Sequence, residues 1–212
     1  MDGFWHIVAG VMGYFLGSLP TGYLVGRARG LDIRTTGSGN IGATNVFRTL
    51  GKRAGVWVLG VDALKGWAAC GIGTWWAGQG SGSSEVGAIV GGVAAILGHN
   101  YPCWLRFRGG KGIATSAGVL VALVPGALTV CLGVWLTVLA LTRYVSLASV
   151  ASALGLPLAV ALWQGSVTMI GITAAMSVLA IYKHKANLRR LWLGTEPRFV
   201  LRRPPSSTQS SP

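Results

Sequence analysis

Acidic side chains are nearly missing from this sequence. Asp2, Asp32, Asp62, Glu85 and Glu196 are the only five, against 18 lysines and arginines, and the net charge is +13. No group of carboxylates is available to hold a divalent cation among oxygen ligands, which argues against metal-dependent transfer of phosphoalcohols. Charge of either sign is sparse: 11% of residues are charged, where a soluble domain carries about a quarter. Cysteine is scarce too. Cys70, Cys103 and Cys131 show neither a CxxC pair nor metal-ligand spacing, so they read as small reduced side chains. There is no GxSxG nucleophile elbow and no GxxxxGK[ST] phosphate loop. No histidine is followed by an acid at the HxxxxD spacing of the common thioester-dependent glycerolipid acyltransferases. Nor is there a base-reading motif, so nucleic acid is not the partner that the positive charge serves.

Apolar residues fill the gap. They make up 51% of the chain, beside 33 glycines and 9 tryptophans, and the mean hydropathy is +0.56. Lipid is the implied solvent. The apolar stretches fall at 4–26, 54–77, 86–98, 113–124, 126–142, 147–163 and 167–182. Every lysine and arginine except Lys65 lies in the connections 27–53, 99–112, 143–146 and 183–212, and the remaining connections have none. The positive-inside rule makes the basic set cytoplasmic. The prediction is an all-α membrane bundle of seven crossings with an external N-terminus and a cytoplasmic C-terminus; five crossings is the runner-up. Phe4 to Val25 lacks a basic start and reads as a retained helix, not a secretory signal. The stretches 86–98 and 113–124 are short for roughly 20-residue spans, so either they extend into their neighbours or they span only half the bilayer. Residues 1–203 form one domain, and 204–212, rich in Pro and Ser, read as a disordered tail.

The basic connections also carry the polar chemistry. In residues 37–51, Gly37, Gly39 and Gly42 alternate with Ser38, Asn40, Thr44 and Asn45, and Arg48 follows. Glycines let consecutive backbone N–H groups turn inward as an anion nest, and a helix starting near Ala43 would add its dipole. Arg48 offers a planar fork for phosphate. Residues 109–112 read Gly-Gly-Lys-Gly ahead of an apolar stretch, a second cradle with Lys111 as a point charge. Arg106 and Arg108 read as anchors at the headgroups. His99 is a base or a structural hydrogen-bonder, the latter preferred. Ser146 occupies the third connection; His184 and Asn187 share a face of an amphipathic extension of the last crossing. Asp62 and Lys65, at i, i+3 inside the second crossing, should pair and face the bundle interior.

On GSGNIGATNVFRTLG, VDALKG, GHNYP, RFRGGKGIAT and YKHKANLRRLWLGTEP, in that order on one apolar frame, the chain resembles the acyl-phosphate:glycerol-3-phosphate acyltransferases of bacterial phospholipid synthesis. The resemblance runs to about Arg198; Cys103-Trp104 and Leu188 depart from it. It implies a seven-helix bundle in the bacterial inner membrane, open to the cytoplasm, with the acyl chain held among helices. It implies acyl phosphate as donor and glycerol 3-phosphate as acceptor. The products are lysophosphatidate and phosphate, with no cofactor or metal. A monomer is expected. On this reading Ser38, Gly39, Asn40, Gly42, Thr44 and Asn45 bind the donor phosphate. Arg48, Gly109, Gly110, Lys111, Ser146, His184 and Asn187 hold glycerol 3-phosphate. Ser38, Asn45, Arg48, Lys111, His184 and Asn187 carry catalysis, the hydroxyl proton going to the donor phosphate or to His184. A transporter for a phosphorylated anion is the rival class, disfavoured because the polar residues gather on one face.

Overall fold

The computed structural model describes residues 2–163 and 166–200, and the proposed tail 204–212 lies outside them. Ten α-helices and two short 3-10 turns account for the regular structure among the described residues. The order is α1 (Asp2–Ser18), α2 (Thr21–Arg27), α3 (Ala43–Leu50), α4 (Lys52–Ala77), α5 (Ser84–Asn100), α6 (Ile113–Leu123), α7 (Pro125–Thr142), α8 (Val145–Trp163), α9 (Val167–Lys183) and α10 (Lys185–Trp192).

Five segments are long and apolar enough to cross a membrane: Gly3–Arg27, Lys52–Ala77, Ser84–Leu105, Pro125–Thr142 and Val145–Trp163. α9 and α10, bent by 56° between them, make a sixth if the pair counts as one span. The short stretch at 86–98 lengthens at both ends into α5, where the Ser83 hydroxyl accepts from the Val86 N–H. The other short stretch stays short. At about 1.5 Å per residue, the 11 residues of α6 reach only half of a roughly 30 Å hydrocarbon core. The first crossing is not one smooth helix either. Pro20 lacks an N–H and disfavours helical backbone at Leu19, so α1 ends at Ser18 and α2 restarts at Thr21.

Helices α1, α4, α5 and α6 pack backbone on backbone. A Cβ at Gly17 would strike Ala95, one at Gly73 would strike Gly87, and one at Gly118 would strike the Ala63 carbonyl. Glycine allows that approach, and dispersion then replaces side-chain interdigitation. The helices α7, α8 and α9 are joined differently. Ser152 Oγ donates to Cys131 O (2.8 Å) and Ser177 Oγ to Ala153 O (2.6 Å), around Leu156, Val160 and Met176. The cysteines are free, and Cys70 and Cys131 are buried. The connections that carry the polar motifs meet at one end of the bundle, around α3 and α10.

Candidate active site

A cavity of about 760 Å³, open to solvent, lies where those connections meet. Ser38, Asn40, Gly42, Thr44, Asn45 and Arg48 line it from one side; Lys111, Ser146, His184 and Asn187 line it from the others. Four segments far apart in sequence thus deliver their polar side chains to one place. Ile113, Trp135 and Ser149 also line a second, apolar groove of about 640 Å³ between α6, α7, α8 and α9. The two spaces adjoin at that neck, where Trp135 Nε1 donates to Ser149 Oγ (3.2 Å).

The first loop is built around Asn45. Its Nδ2 donates to the carbonyls of Ile33 (3.2 Å), Thr36 (3.0 Å) and Asn40 (2.9 Å), and its Oδ1 accepts from Ser38 N (2.9 Å). A side chain so fully engaged has little left for a ligand, so Asn45 shapes the loop where direct contact with substrate had been expected. The nest is narrower than predicted for the same reason. Gly39 N donates to Thr36 O (3.1 Å), and Gly42 N to Asn40 Oδ1 (2.8 Å). Gly39, at φ 69°, supplies a left-handed turn and does not line the cavity. A helix does start there: α3 begins at Ala43, and its N-terminal turn lines the cavity. Arg48, in its last turn, lines the cavity while Nη2 donates to Pro197 O (3.0 Å).

In the second loop, Lys111 and Gly112 line the cavity, but Gly109 and Gly110 do not. Their N–H groups donate to Asn100 O (3.2 Å) and His99 O (3.0 Å), the open carbonyls at the end of α5. They therefore have no N–H to offer a ligand, contrary to the expected cradle. Gly112, at φ 80°, turns the chain into α6 against the Asn100 side chain. Lys111 Nζ donates to Asn187 Oδ1. Burial pushes its ammonium pKa down to about 8, and the neighbouring Arg190, Arg48 and Lys183 act the same way against Glu196.

His184 caps α9 at the bend and does not continue one helix with Asn187. Its Nδ1 lies 2.8 Å from Ala180 O. A carbonyl only accepts, so Nδ1 carries a hydrogen, and in the neutral ring Nε2 is then the acceptor.

Glu196 was not read as a site residue in the sequence, yet it ties the site together. It is buried, accepts from Ser146 Oγ and Asn187 Nδ2 at 2.7 Å each on Oε1, and pairs with Arg190 Nε at 2.7 Å on Oε2. Burial raises its pKa, but these donors outweigh that and hold it below the usual carboxylate value. The residues after it run back beneath the cavity. Phe199 N donates to Arg143 O (2.7 Å), and the Phe199 ring lies 5.0 Å from that of Phe47. The available signal was a lone acid in a strongly basic stretch. Trp135 and Ser149 were missed as well, because an apolar helix gives no sign of which face meets a cavity.

As expected, Asp62 and Lys65 pair (2.8 Å) inside the bundle. Asp62 also accepts from Thr21 Oγ1 (3.0 Å), and with His99 it lines the cavity.

Comparison with known proteins matches residues 7–194 to the glycerol-3-phosphate acyltransferase family. A glycerol-3-phosphate acyltransferase of Geotalea daltonii is 44% identical over 194 residues, covering 92% of this chain and 97% of that protein. One from Desulforudis audaxviator is 47% identical over 197 residues, covering 91% and 94%. The crystal structure of PlsY (YgiH), an integral membrane glycerol 3-phosphate acyltransferase, is similar in its glycerol 3-phosphate form with a TM-score of 0.84 at 37% identity. The match covers 92% of this chain and 96% of that one. Its lysophosphatidic acid form gives 0.82. The chain therefore belongs to the glycerol-3-phosphate acyltransferase family, as an integral membrane enzyme.

Proposed function

We propose that the protein moves a fatty acyl group from acyl phosphate to the 1-hydroxyl of sn-glycerol 3-phosphate. It does so at the cytoplasmic face of the bacterial inner membrane, with seven crossings and an external N-terminus. The observation that carries this reading is the junction of the two spaces: a cavity ringed by cationic and neutral donors opens, at Trp135 and Ser149, into an apolar groove among helices. An acyl phosphate has that same division, an anionic head on an apolar chain. Seven crossings require α6 to count as one. Its 11 residues suit that if both ends meet polar connections shielded by protein.

Arg48 and Lys111 hold the phosphate of glycerol 3-phosphate, with Ser146 and Asn187 kept in place by Glu196. Ser38, Asn40, Thr44 and the start of α3 receive the donor phosphate. The acyl carbon then sits at the neck. The 1-hydroxyl oxygen forms the ester bond to that carbon, the bond to the phosphate oxygen breaks, and inorganic phosphate leaves with the electron pair. The hydroxyl proton passes to the departing phosphate or to His184 Nε2. Alignment of the two reactants supplies several kcal/mol of the barrier, up to about 7–11 in the best cases. Donors aimed at the developing oxyanion supply roughly 3 more.

Purified protein in micelles, given acyl phosphate and labelled glycerol 3-phosphate, should yield lysophosphatidate and phosphate in equal amounts. Acyl-CoA in place of acyl phosphate should yield none. Equal ester formation from acyl-CoA would reject the donor assignment. A His184→Ala variant that keeps the wild-type pH–rate profile assigns the proton to the donor phosphate; loss of the acidic limb assigns it to His184.

A further inference from the structure

Inside the bundle, at the inner wall of the cavity, lies a polar cluster that the reaction as described does not use. Asp62 Oδ1 takes hydrogen bonds from Thr21 Oγ1 (3.0 Å) and Lys65 Nζ (2.8 Å) and stands 3.6 Å from His99 Nδ1, an electrostatic contact longer than a hydrogen bond. Lys65 Nζ also donates to Leu19 O (2.9 Å), at the break between α1 and α2. A buried ion pair by itself is a poor source of stability, since an apolar pair of the same volume does as well. Asp62 already has two partners without the histidine. What His99 adds is contact with the second loop. Its carbonyl accepts from Gly110 N (3.0 Å), and the Gly110 Cα lies against its imidazole so closely that a Cβ there would fall on Nε2, Cδ2 and Cε1 of that ring. All three nearest atoms belong to one side chain. At Gly109 the obstacles include the His99 carbonyl and the Asn100 backbone. The residue after Gly110 is Lys111.

We propose that Asp62 and His99 are positioning residues for the glycerol 3-phosphate pocket: Asp62 fixes the His99 ring, the ring seats Gly110, and the seat sets where Lys111 stands. The inference rests on the reading of Lys111 as a ligand of the substrate phosphate. It explains why residue 110 is glycine although its N–H does not face the cavity, and why charge is retained within the bundle at the inner wall of an anion site.

The test is a mutant cycle on full-length protein in detergent. It reads glycerol 3-phosphate affinity by calorimetry, KM and kcat for both substrates, and the thermal midpoint. Gly110→Ala should weaken glycerol 3-phosphate binding by roughly tenfold or more, because displacement by about 1 Å has effects of that order and larger. His99→Ala should weaken it by about fivefold, and the double variant should bind no worse than His99→Ala, since the collision has lost its partner. Gly109→Ala meets backbone, so combining it with His99→Ala should multiply the two losses. The KM for acyl phosphate should stay within about twofold throughout, a split that general loosening of the fold does not produce. The proposal is overturned if Gly110→Ala and His99→Ala multiply as independent changes. It is equally overturned if His99→Ala lowers the thermal midpoint but leaves glycerol 3-phosphate affinity unchanged. Should His99→Ala not fold, His99→Asn also clears the space above Gly110 and carries the same expectations. Lys111→Ala separates the two levels. Unchanged affinity there rejects the reading of the phosphate site, whereas weakened affinity beside an unaffected His99→Ala rejects only the positioning role.

Discussion

The two halves of the bundle are assembled by opposite rules. In α1, α4, α5 and α6, glycines bring backbones into contact. Helices α7 to α9 are stitched by serine hydroxyls around a groove. A phosphate must be met by donors held within fractions of an ångström, and backbone contact gives such rigidity. An acyl chain asks only for apolar surface, which side chains provide while retaining their freedom to adjust. Arg48 and Lys111 stand on connections of the tight half, and the groove belongs to the loose one.

Glycine substitutions should break this contrast most sharply. Gly118→Val would drive side-chain atoms into the Ala63 carbonyl and should destabilise by about 3 kcal/mol or more, seen as a lost or strongly lowered thermal midpoint. Gly133→Ala, Gly155→Ala and Gly171→Ala, on α7, α8 and α9, meet open space and should change stability by less than about 1 kcal/mol, in the stabilising direction. Next in size is Glu196→Ala. It strips acceptors from Ser146, Asn187 and Arg190 and should lower stability by about 2–3 kcal/mol. Activity should fall further than the folded fraction does, because Lys111 loses its fixed partner Asn187.

The third effect is one of pH. Lys111 has its pKa lowered to about 8, so its charge is present below pH 8 and lost above it. The KM for glycerol 3-phosphate should therefore climb above pH 8, approaching tenfold per pH unit, while that for acyl phosphate changes little. Lys111→Arg should remove the limb, since a guanidinium stays charged. The smallest change is expected in the groove. Leu132 lines it while half exposed, so Leu132→Ala should raise the KM for a long-chain acyl phosphate by about two- to fourfold and leave that for glycerol 3-phosphate alone.

Much of the tight half was legible in the sequence. Charge blocks located the loops, and the spacing of Asp62 and Lys65 announced their pairing. Legibility stops where tertiary contact decides a hydrogen bond's destination. The N–H groups of Gly109 and Gly110 face α5 because that helix ends with open carbonyls beside them, and Asn45 turns inward because three loop carbonyls surround it. Glu196 is a lone acid in a basic stretch, and only the return of residues 195–199 buries it. The break at Leu19–Pro20 was available from proline chemistry, yet the apolar run masked it.

The two-part cleft is tested most directly by an acyl phosphate with a photoreactive diazirine in mid-chain, crosslinked to the protein in micelles and mapped by mass spectrometry. The account predicts adducts on groove residues such as Leu132, Leu156 and Met176, reduced by unlabelled acyl phosphate. Adducts concentrated instead on the lipid-facing side of α4, around Val56, Trp57 and Leu64, and unaffected by competitor would contradict it.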